Sequence, residues 1–481
     1  MNGAESLVRT LAAAGIDVCF ANPGTSEMHF VAALDKVGGI RCVLGLFEGV
    51  VTGAADGYAR MAGKPAVTLL HLGPGLGNGL ANLHNARKAK TPVVNIVGEH
   101  ALRHIEHDAP LTADIEGIAG PVSNWVRTCQ NSADLASDAA DAVAAARQFP
   151  GGIATLILPA NTAWDAATAA ADALVPVSAS AVPDHQLERV ASLLRDAKPD
   201  ATNVAIVLGG HCVHAEGLEL ADRIAQKTGA TLLAETSNAR FERGAGRVSV
   251  KAIPYPVDQA LELLAPFDHI VTVNAKAPVA FFAYPEKPSC LYREDATVTS
   301  LSSHTEDGVN ALRSLCQLLD ADHLAPRLQN ESLPPMPTEQ TLQPDTIAAV
   351  LANRLPEQAI VVDEAITTGR NFQSMLAGAK AHDWLQLCGG SIGDGFPLAT
   401  GAAIACPERK VIDLQADGSG MYTLQALWTQ AREQLDITTV VFANRTYEIL
   451  KHELRNVNAE SGTTAGHMME LDRPTLDWVK L

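Results

Sequence analysis

One stretch, Val411–Tyr447, constrains the fold of this chain more than any other. It opens with an apolar run at 411–414, turns at Asp417, and reaches a second, β-branched run at 437–442 that leads to Asn444. Two such runs, separated by a turn and a helix-compatible segment, predict a strand–helix–strand unit. In these units ligands bind beyond the carboxyl ends of the strands, where Asp417 and Asn444 stand 27 positions apart. The stretch therefore predicts an α/β fold with a ligand site at one edge of the sheet.

The residues at this edge suit a magnesium-bound diphosphate. Asp417 and Asn444 offer hard oxygen ligands, while Gly418 and Ser419 can direct backbone N–H groups and a hydroxyl toward a phosphate. Magnesium takes one or two protein oxygens together with phosphate oxygens. The alternative is an Asp-Gly turn in an α/β sheet that binds no ligand.

The composition is that of a large protein with a substantial core. The 481 residues are too many for one core, so about three domains are expected. A net charge of −18 argues against nucleic acid and anionic membrane surfaces as partners, and no apolar run reaches the ~18 residues of a membrane span. Eight cysteines without a Cys-x-x-Cys pair are typical of a reduced compartment, which predicts a cytoplasmic protein.

Strand-like and helix-like runs alternate along the whole chain. This rhythm predicts an α/β protein made of three doubly wound domains with parallel sheets. An alanine-rich tract with two prolines at 161–183 and a proline-rich polar tract at 321–344 interrupt it. The expected domains are residues 1–172, 184–322 and 343–481.

The opening stretch resembles the thiamine diphosphate (ThDP) motif, which reads Gly-Asp-Gly, then about two dozen residues, then Asn-Asn. Ala416 and Arg445 depart from that pattern. From end to end the chain resembles the ThDP-dependent 2-oxo acid enzymes, in particular acetolactate synthase large subunits, with features of the benzoylformate decarboxylase branch. The resemblance implies that Asp417, the Asn444 side chain and the backbone carbonyl of Thr446 bind Mg²⁺. It also implies a pyrimidine-binding first domain, a central domain and a diphosphate-binding last domain.

Glu48 stands in the segment GLFEGVVTGAADGYARM, between a predicted strand and a predicted helix. A glutamate there can simply be favoured by the dipole at the helix N-terminus. The segment also resembles the one that carries the family's catalytic glutamate. That resemblance implies that Glu48 binds N1′ of the cofactor's aminopyrimidine and so activates its C2 position.

Two further turns carry candidate catalytic side chains. The turn NPGTSE places the Thr25 and Ser26 hydroxyls after the first strand, and the family has a similar turn at its active site. In the benzoylformate decarboxylase branch, a serine aligned with Thr25 contacts substrate. Plain turn chemistry explains these residues equally well. His71 ends the third strand before a glycine-rich turn, where a neutral imidazole can relay protons. A histidine at this position resembles the decarboxylase branch, whereas the Gly-Pro-Gly that follows is synthase-like.

The resemblance implies further cofactor contacts in the last third of the chain. Thr367 and Ser419 are expected at the diphosphate, and Gly389 and Gly390 offer backbone contacts. Ile392 stands where the family has a bulky aliphatic side chain that bends ThDP into a V, although a core residue is the alternative. Acetolactate synthases also bind a non-redox FAD, but no set of residues here establishes an FAD site.

Two groups of residues bear on the substrate. His100, His104 and His107 follow the fourth strand, where a polar loop explains them more simply than a metal site and a substrate-channel role stays open. In the central domain, Phe281 and Phe282 stand where the decarboxylase branch carries a second catalytic histidine. This removes one proton donor from straightforward benzoylformate chemistry.

The sequence leaves three possible functions open. A carboligase decarboxylates one 2-oxo acid and joins the remaining fragment to a second carbonyl compound, whereas a simple decarboxylase releases an aldehyde. The third is a non-catalytic ThDP-fold binding module, which would have no need of Glu48. The family pattern implies a homodimer or homotetramer with active sites between subunits. The chain ends soon after a predicted helix at 474–480, so we expect the last domain to be incomplete.

Overall fold

The structure is a computed structural model that describes residues 1–197, 203–338 and 341–481. The chain forms two compact units. Unit 1 comprises residues 1–178, 387–415 and 419–440, and unit 2 comprises residues 179–386, 416–418 and 441–481.

The strands are, in chain order, β1 Val18–Ala21, β2 Arg41–Leu44, β3 Ala66–Leu70, β4 Val93–Glu99, β5 Trp125–Thr128, β6 Ile153–Pro159, β7 Val204–Leu208, β8 Thr231–Ala234, β9 Phe241–Arg243, β10 Lys251–Ala252, β11 His269–Val273, β12 Thr297–Ser302, β13 Ala359–Glu364, β14 His382–Gln386, β15 Val411–Ala416 and β16 Ile437–Phe442. The α-helices are α1 Gly3–Ala13, α2 Met28–Val37, α3 Glu48–Ala62, α4 Leu72–Ala89, α5 Leu102–Ile105, α6 Ile115–Ala119, α7 Leu135–Arg147, α8 Ala160–Trp164, α9 Asp184–Asp196, α10 Ala215–Thr228, α11 Val257–Leu264, α12 Gly308–Leu318, α13 Pro344–Arg354, α14 Phe372–Met375, α15 Gly395–Ala405, α16 Asp417–Gly420, α17 Ala426–Arg432, α18 Glu448–Asn456 and α19 Thr463–Met469. Short 3₁₀ turns occur at Thr25–Glu27 and Gly210–Val213.

Unit 1 is built on a six-stranded parallel sheet with the order β2-β1-β3-β4-β6-β5. Alternate residues of its strands enter opposite cores: Cys19 packs with α1, α2 and α7, whereas Phe20 packs with α3 and α4. This alternation follows from the two-residue period of a strand and buries the sheet on both faces. The strand order changes direction between β1 and β3, and such a switch point is where doubly wound sheets bind ligands.

Unit 2 contains a second parallel sheet with the order β10-β8-β7-β11-β12. Its other strands include β13, which pairs in parallel with β14, and β14 in turn pairs antiparallel with β9. The described residues form three sheets, so the predicted fold class is confirmed. The sequence pattern missed β9 and β10, because three and two residues are too few to show a strand period. It also missed β5, β12 and β14, whose polar residues interrupt the apolar run.

The predicted interruptions coincide with irregular chain. No helix or strand occurs between α8 and α9, and none occurs in the described part of the segment between α12 and α13. Residues 198–202 of the expected central domain and 339–340 of the second tract lie outside the described residues. The domain limits themselves stay a prediction. The predicted helix at 474–480 is wrong: the chain turns there, and Asp472 and Thr475 form an isolated bridge.

Within the described residues, no helix has the length and apolar character needed to cross a bilayer.

Candidate active site

Glu48 is the first residue of α3, four residues beyond the end of β2. Its side chain is buried, and the Asn78 amide of α4 donates a hydrogen bond to Oε2 at 3.0 Å. Gly75 makes room for the carboxylate, because a Cβ at that position would lie 3.0 Å from Glu48 Oε1 and 3.3 Å from His71 Cβ. Among the residues that the structure describes, Oε1 has no donor, so one carboxylate oxygen is oriented by the protein and the other is left for a ligand.

His71 lies between β3 and α4 and forms a pair with Glu27, a residue that the sequence analysis did not single out. The imidazole Nδ1 lies 2.9 Å from Glu27 Oε2 and 3.1 Å from Oε1. An ionised carboxylate only accepts hydrogen bonds, so this contact places the proton of a neutral imidazole on Nδ1. Nε2 is then the acceptor, which is the arrangement needed to take a proton from a substrate.

The Glu27 carboxylate is fixed from several directions. Its side chain is fully buried and also accepts hydrogen bonds from the Gly24 N–H, at 2.7 Å, and from the Ser26 hydroxyl. A Cβ on Gly24 would lie 2.0 Å from His71 Nδ1, and a Cβ on Gly98 would lie 1.7 Å from Glu27 Oε1. A side chain at either glycine would therefore displace the Glu27–His71 pair from its present position.

Thr25 begins the 3₁₀ turn after β1 and its side chain is exposed. The turn and His71 follow β1 and β3, the two strands at the switch point of the sheet in unit 1. Thr25, Glu27 and His71 thus line the edge where the strand order predicts a ligand. The Ser26 hydroxyl hydrogen is used by Glu27, which leaves its oxygen only as an acceptor.

The loop that carries Gly389, Gly390 and Ile392 also belongs to unit 1, where the polar face of α4 holds it. Asn85 accepts the Ser391 N–H at 3.1 Å and donates to the Ser391 carbonyl at 2.7 Å. His84 Nε2 lies 3.1 Å from the Gly389 carbonyl oxygen. Ile392 is only partly buried, which is unlike a core residue.

Asn82 joins this loop to α3 in the same chain. Its amide donates to the carbonyl of Gly49, at 2.8 Å, and to that of Gly393, at 3.2 Å. Gly49, the residue after Glu48, and the predicted cofactor loop are therefore both hydrogen-bonded to the Asn82 side chain. Neither this asparagine nor its neighbour Asn85 was predicted, because the contacts span more than 300 residues of sequence.

The predicted metal ligands Asp417, Asn444 and Thr446 lie in unit 2. Asp417 follows β15 and is buried, and its two oxygens accept the backbone N–H groups of Gly418, at 2.9 Å, and of Arg445, at 2.7 Å. Arg445 adopts a left-handed backbone with φ of 61°. Asn444 is exposed, and its Oδ1 accepts the Thr446 N–H at 3.1 Å.

These groups fit a magnesium ion. Burial is the main cause that raises the pKa of Asp417, and the two backbone N–H groups oppose it only in part. No cationic side chain in the described part of unit 2 pairs with this carboxylate. A buried carboxylate without a counter-charge, beside an amide oxygen, matches the oxygen ligands that Mg²⁺ prefers. Gly418 keeps the turn narrow, because a Cβ there would lie 2.4 Å from the Tyr447 ring.

Thr367 lines a cavity of about 330 Å³ in unit 2. On its wall the Arg370 guanidinium stacks on Tyr255, 5.3 Å from the ring centroid. The hydroxyls of Tyr255 and Tyr284 donate to Glu453 of α18 at 3.2 and 2.7 Å, and burial, followed by the Glu453 charge, raises the pKa of Tyr255. Ser419, the other predicted diphosphate contact, is buried in unit 1.

Known proteins resemble the chain at both ends and along its whole length. Residues 1–118 match the family described as thiamine pyrophosphate enzyme, N-terminal TPP binding domain, and residues 369–481 match the corresponding C-terminal TPP binding domain. A Mycobacterium tuberculosis protein, provisionally named acetolactate synthase large subunit IlvX, is 49% identical over 484 residues, which cover 100% of this chain and 92% of that protein.

More distant relatives show the same extent of similarity. The benzoylformate decarboxylase of Pseudomonas aeruginosa is 27% identical over 456 residues, covering 91% of this chain and 85% of that one. The solved structure of the Rhodococcus jostii RHA1 thiamine diphosphate-dependent 4-hydroxybenzoylformate decarboxylase superposes with a TM-score of 0.84 at 24% identity, covering 100% of this chain and 92% of that one, which supports the fold. The chain therefore belongs to the thiamine pyrophosphate-dependent enzymes, in the group that contains acetolactate synthase large subunits and benzoylformate decarboxylases.

Proposed function

We propose that the protein is a ThDP- and Mg²⁺-dependent enzyme that decarboxylates a 2-oxo acid and transfers the remaining fragment to a second carbonyl compound. The 49% identity to a protein named as an acetolactate synthase large subunit supports this choice of chemistry. The observation that carries it is the buried Glu48 carboxylate, which has one oxygen fixed by Asn78 and the other without a donor among the described residues.

The roles of the other residues follow from their chemistry. Asp417, the Asn444 side chain and the Thr446 carbonyl would hold Mg²⁺. Thr367, Ser419 and the backbone at Gly389, Gly390 and Gly418 would contact the diphosphate, with Ile392 against the rings. When bound, ThDP would supply a nucleophilic carbon and an acceptor for the electron pair that a 2-oxo acid leaves on losing CO₂. Glu48 would exchange a proton with the aminopyrimidine through its open oxygen.

The Glu27–His71 pair would move protons at the substrate. His71 Nε2 would take a proton from, or return one to, the substrate's oxygen, while Glu27 holds Nδ1–H and stabilises the imidazolium that forms. Thr25, exposed beside this pair, would contact the substrate. The active sites would lie between the subunits of a homodimer or homotetramer, as the family resemblance implies.

A simple decarboxylase is the second candidate. The specific observation in its favour is the Glu27–His71 pair, because a proton supplied at that point releases an aldehyde instead of a ligated product. Against it stand Phe281 and Phe282, whose exposed rings pack edge to face 4.9 Å apart and carry no proton. A non-catalytic module would not need either buried carboxylate.

The deciding experiment is to supply the purified protein with ThDP, Mg²⁺ and a panel of 2-oxo acids, and to measure CO₂, aldehyde and acyloin separately. Acyloin formed in step with CO₂ would support the carboligase, and free aldehyde without acyloin would replace it with the decarboxylase. No CO₂ from any 2-oxo acid would contradict both.

A further inference from the structure

The central sheet of unit 2 has the topology of a nucleotide-binding sheet. Its strand order, β10-β8-β7-β11-β12, changes direction between β7 and β11, and doubly wound sheets bind dinucleotides in the crevice at such a point. The pyrophosphate then lies on a glycine turn after the first strand and at the N-terminus of the next helix. Here the turn is Gly209-Gly210, after β7, and the helix is α10. Acetolactate synthases bind FAD, a dinucleotide, so this edge is where the central domain would hold it.

The N-terminus of α10 already binds a carboxylate of the protein. The Ala215 N–H, in the first turn of the helix, donates to Glu242 Oε2 at 3.0 Å. Glu242 belongs to β9 and also pairs with Arg240, at 3.2 Å, and with Arg247, at 3.8 Å. The helix dipole that would attract a phosphate is thus satisfied by a side chain. Glu242 occupies the anion-binding position at the start of α10.

The glycine turn packs against a second carboxylate. A Cβ on Gly209 would lie 2.4 Å from Glu235 Oε2 and 2.7 Å from the Asn274 carbonyl oxygen. Glu235 follows β8, and its Oε1 accepts the Lys276 N–H at 2.9 Å. In a nucleotide-binding turn the missing side chain lets the pyrophosphate approach, whereas here it makes room for Glu235. A diphosphate at this turn would be repelled by that carboxylate.

Asn274 fills the crevice between β7 and β11. It follows β11 and is buried, its Oδ1 accepts the Cys212 thiol at 3.4 Å, and its Nδ2 donates to the Glu306 carbonyl at 3.0 Å. A Cβ on Gly308, the first residue of α12, would lie 2.1 Å from Asn274 Oδ1. Moving this side chain aside for a ligand would leave buried polar groups without partners, which is costly.

The two histidines beside the turn supply no positive charge. His211 and His214 stand between the glycine turn and α10, with their rings 5.2 Å apart. Burial is the main cause that lowers the pKa of both imidazoles, that of His214 to about 3. Both side chains are therefore neutral near pH 7 and offer a pyrophosphate no cation.

We propose that the central domain of this protein excludes FAD, because its own side chains occupy the positions where a dinucleotide would bind. Glu242 takes the helix N-terminus, Glu235 takes the glycine turn and Asn274 takes the crevice. The domain keeps the topology of a nucleotide-binding sheet and uses that edge for internal packing. The inference stands on the central sheet and β9 alone, so it does not depend on the proposed function.

Exclusion is tested on the full chain with ThDP and Mg²⁺ present, by the fluorescence anisotropy of added FAD. We expect FAD to stay free, with a Kd above about 100 µM, and the purified protein to show no flavin absorbance. A cooperative thermal unfolding transition of the same sample shows that the protein is folded. A Kd of a few micromolar, or flavin that copurifies at about one equivalent per chain, overturns the proposal.

The role of Glu242 is tested with inorganic pyrophosphate in the absence of Mg²⁺. Glu242→Ala leaves Arg240, Arg247 and the α10 N-terminus without their anion, so millimolar pyrophosphate should raise the Tm of this variant at least about 2 °C more than that of the unsubstituted protein. Glu216→Ala is the control, because it removes an exposed carboxylate from the same first turn and should respond like the unsubstituted protein. Equal responses of the two variants contradict the role of Glu242. The FAD titration needs no substitution, so it decides the proposal even if Glu242→Ala does not fold.

Discussion

The two regions that carry the predicted chemistry hold their carboxylates in opposite ways. In unit 1, side chains do most of this: Asn78 binds Glu48, while His71 and Ser26 bind Glu27 together with one backbone N–H, that of Gly24. In unit 2, backbone does so: both oxygens of Asp417 accept main-chain N–H groups. A carboxylate held by side chains has its orientation set before any ligand arrives. A carboxylate held by the backbone of a turn has no cationic side chain beside it, so its charge remains available to bind a cation.

The two arrangements suit two different chemical roles, proton transfer and ion binding. Glu48 and His71 would transfer protons, which requires a fixed direction and one open atom each. Asp417 would bind an ion, which requires buried negative charge without a protein counter-charge, and burial does raise the pKa of that carboxyl. We therefore expect substitutions in unit 1 to affect rates first, and substitutions in unit 2 to affect ion affinity first.

Glu48→Gln should have the largest effect. The amide keeps the size of the side chain but cannot exchange a proton with the aminopyrimidine, so we expect turnover to fall roughly 10²- to 10⁴-fold with ThDP affinity nearly unchanged. Deuterium exchange at C2 of bound ThDP, followed by NMR, measures the step directly. Glu106→Gln, at an exposed glutamate of the same unit, is the matched control. Normal exchange in the Glu48 variant would remove this residue from the mechanism.

Asp417→Asn should weaken Mg²⁺ binding at least about tenfold, because it removes the buried charge, and ThDP binding should weaken with it. The pH dependence has a defined sign. A raised carboxyl pKa means that the folded protein holds this proton more tightly than the unfolded chain does. Stability of the ion-free protein should therefore fall as pH rises through that pKa, whereas Mg²⁺ affinity should rise.

Calorimetric Mg²⁺ titrations at several pH values measure both effects. Asp322→Asn is the control, because it changes a different, exposed cluster, Asp320, Asp322 and His323, whose ligand atoms could also bind a cation. Equal losses in the two variants would mean that Asp417 is not a ligand.

The sequence identified residues whose role can be recognised from their immediate neighbours in the chain. It missed residues whose role depends on partners that are far away in the sequence. Asp417 opens a helix directly after a strand and Glu48 opens one four residues after a strand, so neighbouring residues identify them. Glu27 has no such signal, since its partner His71 is 44 positions away and only the pairing of β1 with β3 joins them. Asn82 and Asn85 read as ordinary helix residues until the loop at 389–393 is folded against them. Strand prediction succeeded for the same reason where a strand is an apolar run in itself, as in β4 and β7, and it missed β12 and β14, which contain polar residues.

Gly98→Ala should affect the Glu27–His71 pair more moderately. The new Cβ would lie 1.7 Å from Glu27 Oε1 in its present position, so the carboxylate must move and lose contact with His71. We expect a loss of about 1–3 kcal/mol in the free energy of unfolding. Gly77→Ala in α4 is the control, because nothing lies within 4 Å of its Cβ and alanine should stabilise the helix by about 1 kcal/mol. Urea unfolding measures both. Similar changes in the two variants would mean that the pair is not a fixed unit.

Arg445→Asn should have the smallest effect and tests whether backbone geometry alone holds Asp417. Arg445 has φ of 61°, a left-handed conformation that asparagine adopts more readily than arginine. Its contact with Asp417 is made by the backbone N–H, so the substitution should keep that contact and raise the free energy of unfolding by roughly 0.5–1 kcal/mol. Arg455→Asn, in α18, should instead lower it by a few tenths of a kcal/mol, because asparagine is the poorer helix former. Urea unfolding without Mg²⁺ measures whether each substitution raises or lowers the free energy of unfolding. Should Arg445→Asn destabilise the protein as Arg455→Asn does, the arginine side chain itself must support the turn, and the contrast between side-chain and backbone support would no longer hold for unit 2.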